Sequence, residues 1–289
     1  MKKRYSFLFL IAIALQCAKT ESESGKLLVA ASIAPLADFV HQVGGDKVEV
    51  FTIIPPGANP HTFELTPGLM KKMTKTDLLV YNGAGLEFWL DKVIDNVPGH
   101  KAVFAAKGLD IHDAVHASHA EGNPHVWLNP QHAIHQVKRI SLALADVDPV
   151  NKEYYENNAV LYVKLLEVLD QDIQKMVDSW AQKRFVCFHP AWNYFAERYG
   201  LVQAGVIEKR AGMEQSPNDI AEIIQVIKSI GAKAVFVEAQ FPSRVAEMIA
   251  AESGIGVVPL DPLGGSQEIT NYVELMRYNV AQMAQVLKD

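Results

Sequence analysis

Ten histidines against two cysteines set the chemistry that this sequence can do. Six of them fall between His112 and His135. Cysteine-type zinc fingers and disulfide scaffolds are excluded by that count. Imidazole-based metal binding is not. Four residues stand just past runs that read as β-strands: His61 in PPGANPHTFELTP, His125 in NPHVWLNP, His189 in CFHPAWNYFAERYG and Asp261 in PLDPLGG. In open α/β sheets, ligands bind outside the carboxyl ends of the strands. Three imidazoles and one carboxylate form an N3O set suited to Zn2+ or another borderline divalent metal. Pro60, Pro124 and Pro190 each adjoin one of these histidines and stiffen the backbone that presents it. His41, His100, His132 and His135 lack such placement and read as ordinary.

The elements that must position this set alternate regularly. Strand-like runs cover 27–32, 48–54, 77–82 and 102–106, with helical patterns around 35–43, 67–75 and 86–96. A second series has strands at 184–189, 201–206, 234–239 and 256–261, separated by helical patterns near 191–199, 217–230, 242–252 and 270–288. Alternation of this kind predicts βαβ units and parallel sheets. A weak echo links the halves: Pro35, Phe39 and Gly45 have the spacing of Pro190, Tyr194 and Gly200. Between the halves, no glycine or proline interrupts residues 150–180. Asp148 is expected to be the N-cap and Pro149 the first helical residue. Leu161, Leu165, Leu169, Ile173, Met176 and Trp180 suggest the buried stripe of one helix about 45 Å long. A break near Asp170 into two helices is the alternative.

The first residues read as an address. Lys2, Lys3 and Arg4 precede an apolar run from Phe7 to Leu15 that is too short to span a bilayer. The expected organisation is a signal peptide over 1–16, a tether over 17–25, an N-terminal lobe over 26–148, the linking helix over 149–181 and a C-terminal lobe over 182–289. Cys17 resembles a lipoprotein processing site, which would leave the other cysteine, Cys187, as a free thiol packed in the core. Removal of 1–16 takes away three basic residues and no acidic one, moving the formal net charge from -6 to -9. That balance argues against nucleic acid as a partner.

Taken in order, the segments NPHTFELTP, GLEFWLDKV, NPHVWLNP, FHPAWNYFAERYG and VFVEAQFPSRVAEMIAAESGIGVVPLDPLGG resemble the metal-binding solute-binding proteins of ABC importers, cluster A-I, the zinc and manganese type. The resemblance runs from about Lys26 to Asp289. It implies an α/β fold of two pseudo-symmetric lobes, with parallel four-stranded sheets flanked by helices, joined by one long rigid helix. It assigns His61, His125, His189 and Asp261 to the metal. It gives Glu64 and Glu238 a supporting role around the ligands. Asn123 and Asn129 stand where the family motif D-P-H-x-W-L-D-P has aspartates. Manganese members usually carry glutamate at the third ligand position, where this chain has His189, so zinc is the expected cargo and manganese the alternative. His112, His116 and His119 occupy the place of the histidine-rich loop of zinc members, an auxiliary capture segment or a plain solvated loop.

The resemblance further implies an exported, envelope-located monomer that hands its metal to a permease driven by a separate ATPase. It would touch the membrane only through an N-terminal lipid. Two other classes compete. A surface adhesin would share the export signal. A zinc hydrolase would use His61 and Glu64 as H-x-x-E, but H-E-x-x-H is absent, and Asp261 would close the open position that zinc catalysis needs.

Overall fold

The computed structural model describes residues 25–90, 93, 101–112, 122–208, 215–241 and 244–289. The export segment, Cys17, His100, His116 and His119 lie outside the described residues.

Among the described residues, eight strands form two separate parallel sheets. β1 (Leu27–Ala31), β2 (Val48–Thr52), β3 (Leu78–Tyr81) and β4 (Lys101–Phe104) align in the order β2-β1-β3-β4. β5 (Arg184–Cys187), β6 (Val202–Val206), β7 (Ala234–Glu238) and β8 (Gly256–Leu260) repeat it as β6-β5-β7-β8. The identical order bears out the pseudo-symmetric two-lobe expectation. The sequence echo marks equivalent places. Pro35 opens α1 (Ala34–Gly44) after β1, and Pro190 opens the turn after β5 that leads into α5 (Asn193–Tyr199). Gly45 and Gly200 end those helices at φ 52° and 68°, where an L side chain is strained. A Cβ at Gly45 would also strike the Tyr154 hydroxyl.

The other α-helices among the described residues are α2 (Pro67–Met73), α3 (Pro130–Val147), α4 (Lys152–Asp178), α6 (Pro217–Ile230), α7 (Arg244–Ser253) and α8 (Tyr272–Leu287). α3 starts at Asn129, whose side chain accepts from Gln131 N, with Pro130 at its first position. α6 is held by a reciprocal Ser216/Asp219 capping box and stops at left-handed Gly231. None of the described helices is long and apolar enough to cross a membrane.

The linking helix α4 is continuous for 27 residues, about 40 Å. Asp170 does not break it, because its carboxylate is buried against partners from both lobes: Gln131 Nε2 at 2.7 Å, Arg198 Nη2 at 2.6 Å and the Tyr199 hydroxyl at 2.9 Å. Two expectations need correction. The helical run opens at Pro149 with Asp148 in the N-cap position, as expected, but its first turn over Pro149–Asn151 is 3-10 and the α-helix proper begins at Lys152; Asp148 also holds the side chains of Asn151 and Tyr155. The buried face is Tyr155, Ala159, Tyr162, Leu166, Leu169, Ile173 and Val177. Leu161, Leu165 and Met176 are 65, 45 and 42% exposed. Apolar residues lie on more than one side of α4, so periodicity alone could not choose the face. Packing against α1 and α3 did.

One apolar core runs through both sheets by way of α4 and α8. A second lies between the outer C-terminal helices and their sheet, and a small one of Ala106, Val126 and Tyr194 bridges the lobes.

Candidate metal centre

Each site histidine is fixed by its local chain. His61 follows β2 on a turn in which Asn59 Oδ1 accepts from the His61 amide at 2.9 Å. His125 precedes a 3-10 turn over Val126–Leu128, and the Asn82 amide anchors the carbonyl before it, Pro124 O, at 2.9 Å. His189 stands two residues past the end of β5, where the Cys187 thiol donates to its carbonyl at 3.1 Å. Burial and the nearby Glu238 push that thiol well above the usual range, so Cys187 is an inert core group.

The three Nε2 atoms converge. His61 Nε2 lies 3.2 Å from His125 Nε2, which lies 3.3 Å from His189 Nε2. Metal–nitrogen bonds of about 2.0–2.1 Å in a tetrahedron separate the nitrogens by about 3.3–3.4 Å. The spacing therefore fits a tetrahedral divalent ion bound through Nε2. His125 and His189 are 4 and 5% exposed, and His61 is half-buried. The cleft of about 230 Å3 is otherwise walled mainly by Pro60, Trp127, Phe241, Pro262 and Leu263, with Gln240. The Phe241 ring packs 4.6 Å from His189, and the Trp127 ring 5.3 Å from His125.

The proton arrangement follows from who can only accept. Asn123 Nδ2 donates to the Pro190 carbonyl at 2.8 Å, which cannot donate back. Asn123 Oδ1 must then face His125 Nδ1, 2.7 Å away. His125 accordingly carries its proton on Nδ1 and leaves the Nε2 lone pair for a metal. On the other lobe, Glu238 Oε1 accepts from Trp192 Nε1 at 2.9 Å and lies 3.0 Å from His189 Nδ1. That second contact is close but poorly directed for a hydrogen bond, since His189 Nδ1 has no well-directed partner. A carboxylate behind a ligating imidazole orients the ring and raises its basicity.

The structure brings together His61, His125 and His189, with ligand atoms within 4.8 Å of one another. It does not bring Asp261 into that group. Asp261 follows β8 as expected, but its Oδ1 accepts from the Leu263 and Gly264 amides, both at 2.9 Å. Glu238 sits behind His189. Glu64 is exposed and does not line the cleft. His112 lies elsewhere, with its Nε2 3.1 Å from Glu197 Oε2 and its ring 4.6 Å from Tyr194. Sequence reasoning missed Trp127, Phe241 and Gln240 as walls of the site. Their adjacency to His125 and Glu238 was the available signal.

The lobes meet around this centre. Trp127 Nε1 donates to Pro262 O at 2.7 Å, the Tyr272 hydroxyl to Trp127 O at 2.6 Å, and the Tyr194 hydroxyl to Asn123 O at 2.8 Å.

Known proteins show the same architecture. The chain is 30% identical to the high-affinity zinc uptake system protein ZnuA of Bacillus subtilis, covering 97% of both chains. It is 29% identical to the manganese ABC transporter substrate-binding lipoprotein PsaA of Streptococcus pneumoniae, covering 97% of this chain and 96% of that one. A zinc-bound ZnuA deletion mutant superposes with a TM-score of 0.84 at 31% identity, covering 91% of this chain and 99% of that one. The family model described as zinc-uptake complex component A, periplasmic, matches residues 29–286. The chain belongs to that family, whose members include the substrate-binding proteins of metal ABC transporters.

Proposed function

We propose that this protein is an extracytoplasmic zinc receptor that captures Zn2+ between its lobes and delivers it to the membrane permease of an ABC importer, itself driven by a separate ATPase. The family supplies the coarse statement, a metal-binding component of a transporter and not an enzyme. The observation that carries the zinc reading is the convergence of three imidazoles within 4.8 Å, with His61 and His189 Nε2 each at tetrahedral spacing from His125 Nε2. Neutral imidazoles suit zinc, while manganese favours carboxylate oxygen. Manganese remains the alternative cargo, because relatives are named for either metal.

In this reading His61, His125 and His189 hold the cargo. Asp261, the fourth ligand that the resemblance implies, would have to move inward to reach it. Glu238 orients His189, and the segment around His112, His116 and His119 serves at most as a weak capture loop. The export signal and Cys17 would tether the protein to the envelope, in keeping with lipoprotein relatives.

The test is a zinc titration, with chelator competition, of wild type and His189→Ala. Loss of at least 100-fold in affinity is expected when a ligand is removed. Unchanged affinity would refute the assignment. Manganese competing with zinc at equal concentration would overturn the choice of metal. Binding should weaken in acid, since protonated imidazoles cannot ligate.

A further inference from the structure

Beyond the three imidazoles, the cleft wall carries one more polar side chain, Gln240. It leaves the carboxyl end of β7 two residues after Glu238. Its Oε1 is buried and meets no donor among the described residues. A buried acceptor left unmet costs about 1–3 kcal/mol, so it persists where something other than the protein satisfies it. The neighbouring wall residues Pro60, Phe241, Pro262 and Leu263 offer no side-chain donor, and the Trp127 indole N–H is engaged by Pro262 O. Asp261 Oδ1 accepts from two amides of its own turn, and Asp261 is not part of the group of three imidazoles.

Three imidazoles leave one position open on a tetrahedral ion. We infer that Gln240 Oε1 accepts a hydrogen bond from a water molecule that fills this fourth position. In the arrangement of the structure, the cargo is then held by three imidazoles and one anchored water. A divalent ion polarises its bound water and makes it a strong donor, which matches an acceptor with no hydrogen-bond partner of its own. The carboxamide oxygen is neutral, so it anchors the water without adding charge to the site.

This inference rests on the zinc-site reading, and the experiment separates the two. The purified full-length protein, wild type and Gln240→Leu, is titrated with zinc alone under chelator competition. It is then loaded with cobalt(II), whose visible ligand-field bands report coordination. Azide is added to the cobalt form of the wild type. The expected results are a roughly tenfold loss of zinc affinity in Gln240→Leu, the worth of one hydrogen bond to a polarised partner. Its cobalt bands should also shift, and azide should displace the wild-type water with a spectral change. Equal zinc affinity and equal spectra in wild type and Gln240→Leu would overturn the inference. So would a wild-type spectrum indifferent to azide, because a protein group such as Asp261 would then have closed the position. The azide arm uses wild type alone and stands even if Gln240→Leu misfolds. Failure of the wild type to bind zinc or cobalt would overturn the metal reading itself, and this inference with it.

Discussion

Asn123 is the residue whose replacement should separate metal affinity from lobe stability. Its carboxamide makes contacts of two kinds: Oδ1 accepts from His125 Nδ1 at 2.7 Å and from the His125 amide at 3.1 Å, and Nδ2 donates to Pro190 O at 2.8 Å. Asn123→Ala removes all three. Loss of the group that orients a ligating histidine typically costs 10–100-fold in metal affinity, about 1.4–2.7 kcal/mol. Loss of the donor leaves a buried carbonyl unmet, about 1–3 kcal/mol of folding stability. Asn123→Asp restores the family's usual residue and divides these effects. A carboxylate still accepts from His125 Nδ1 and makes the imidazole a better ligand, so zinc affinity should hold or rise. The same carboxylate cannot donate to Pro190 O and sets oxygen against oxygen, so the metal-free protein should lose about 1–3 kcal/mol. At about 2–4 °C per kcal/mol for a chain of this size, Tm should fall by roughly 2–12 °C. The assays are chelator-competition zinc titration and thermal melting in excess EDTA. Asn123→Ala with wild-type zinc affinity, or Asn123→Asp with an unchanged metal-free Tm, would refute the reasoning.

Two further outcomes follow from packing and titration. Gly265→Ala places a Cβ 2.7 Å from Ala34 Cβ across the lobe boundary, at a φ of 79°. Overpacking and backbone strain together should cost about 2–4 kcal/mol, read as a lower urea midpoint, and an unshifted midpoint would show that the lobes yield there freely. His132 is held below its ordinary pKa of 6.5, chiefly by burial and then by the charge of His112. The unfolded chain therefore binds this proton first. Stability from this group is complete above about pH 6.5 and declines as pH falls from there through the lowered folded value. His132→Gln should flatten that part of the metal-free stability profile between pH 7.5 and 5.5. Parallel wild-type and variant profiles would disprove the linkage.

The sequence made the repeated strand–helix alternation legible, because each strand end carries its own punctuation and each half repeats the other. His189 could be placed near a strand end for the same reason, whereas His61 and His125 lie 9 and 21 residues past the ends of β2 and β4. Three things were not legible. The inward face of α4 was ambiguous, because Leu165 and Leu166 are the same residue type and only the neighbouring helices choose between them. The behaviour of Asp261 was a contest between two uses of one carboxylate, and Asp-Pro-x-Gly is also a turn signal. In the structure the turn amides hold Oδ1. Asn123 and Gln240 act through the direction of an amide, which no spacing rule encodes.

The position of Asn123 has a mechanical consequence. Its partner Pro190 is the residue after His189, so the N-terminal lobe grips the C-terminal lobe one peptide away from a candidate ligand. The carboxamide cannot turn over while that grip holds, and the His125 proton cannot change nitrogens while the carboxamide stays put. Parting the lobes therefore undoes a clasp and a proton lock in one motion. Under the proposed metal reading, a mutation that loosens this clasp should alter the rate of zinc release as well as the depth of binding.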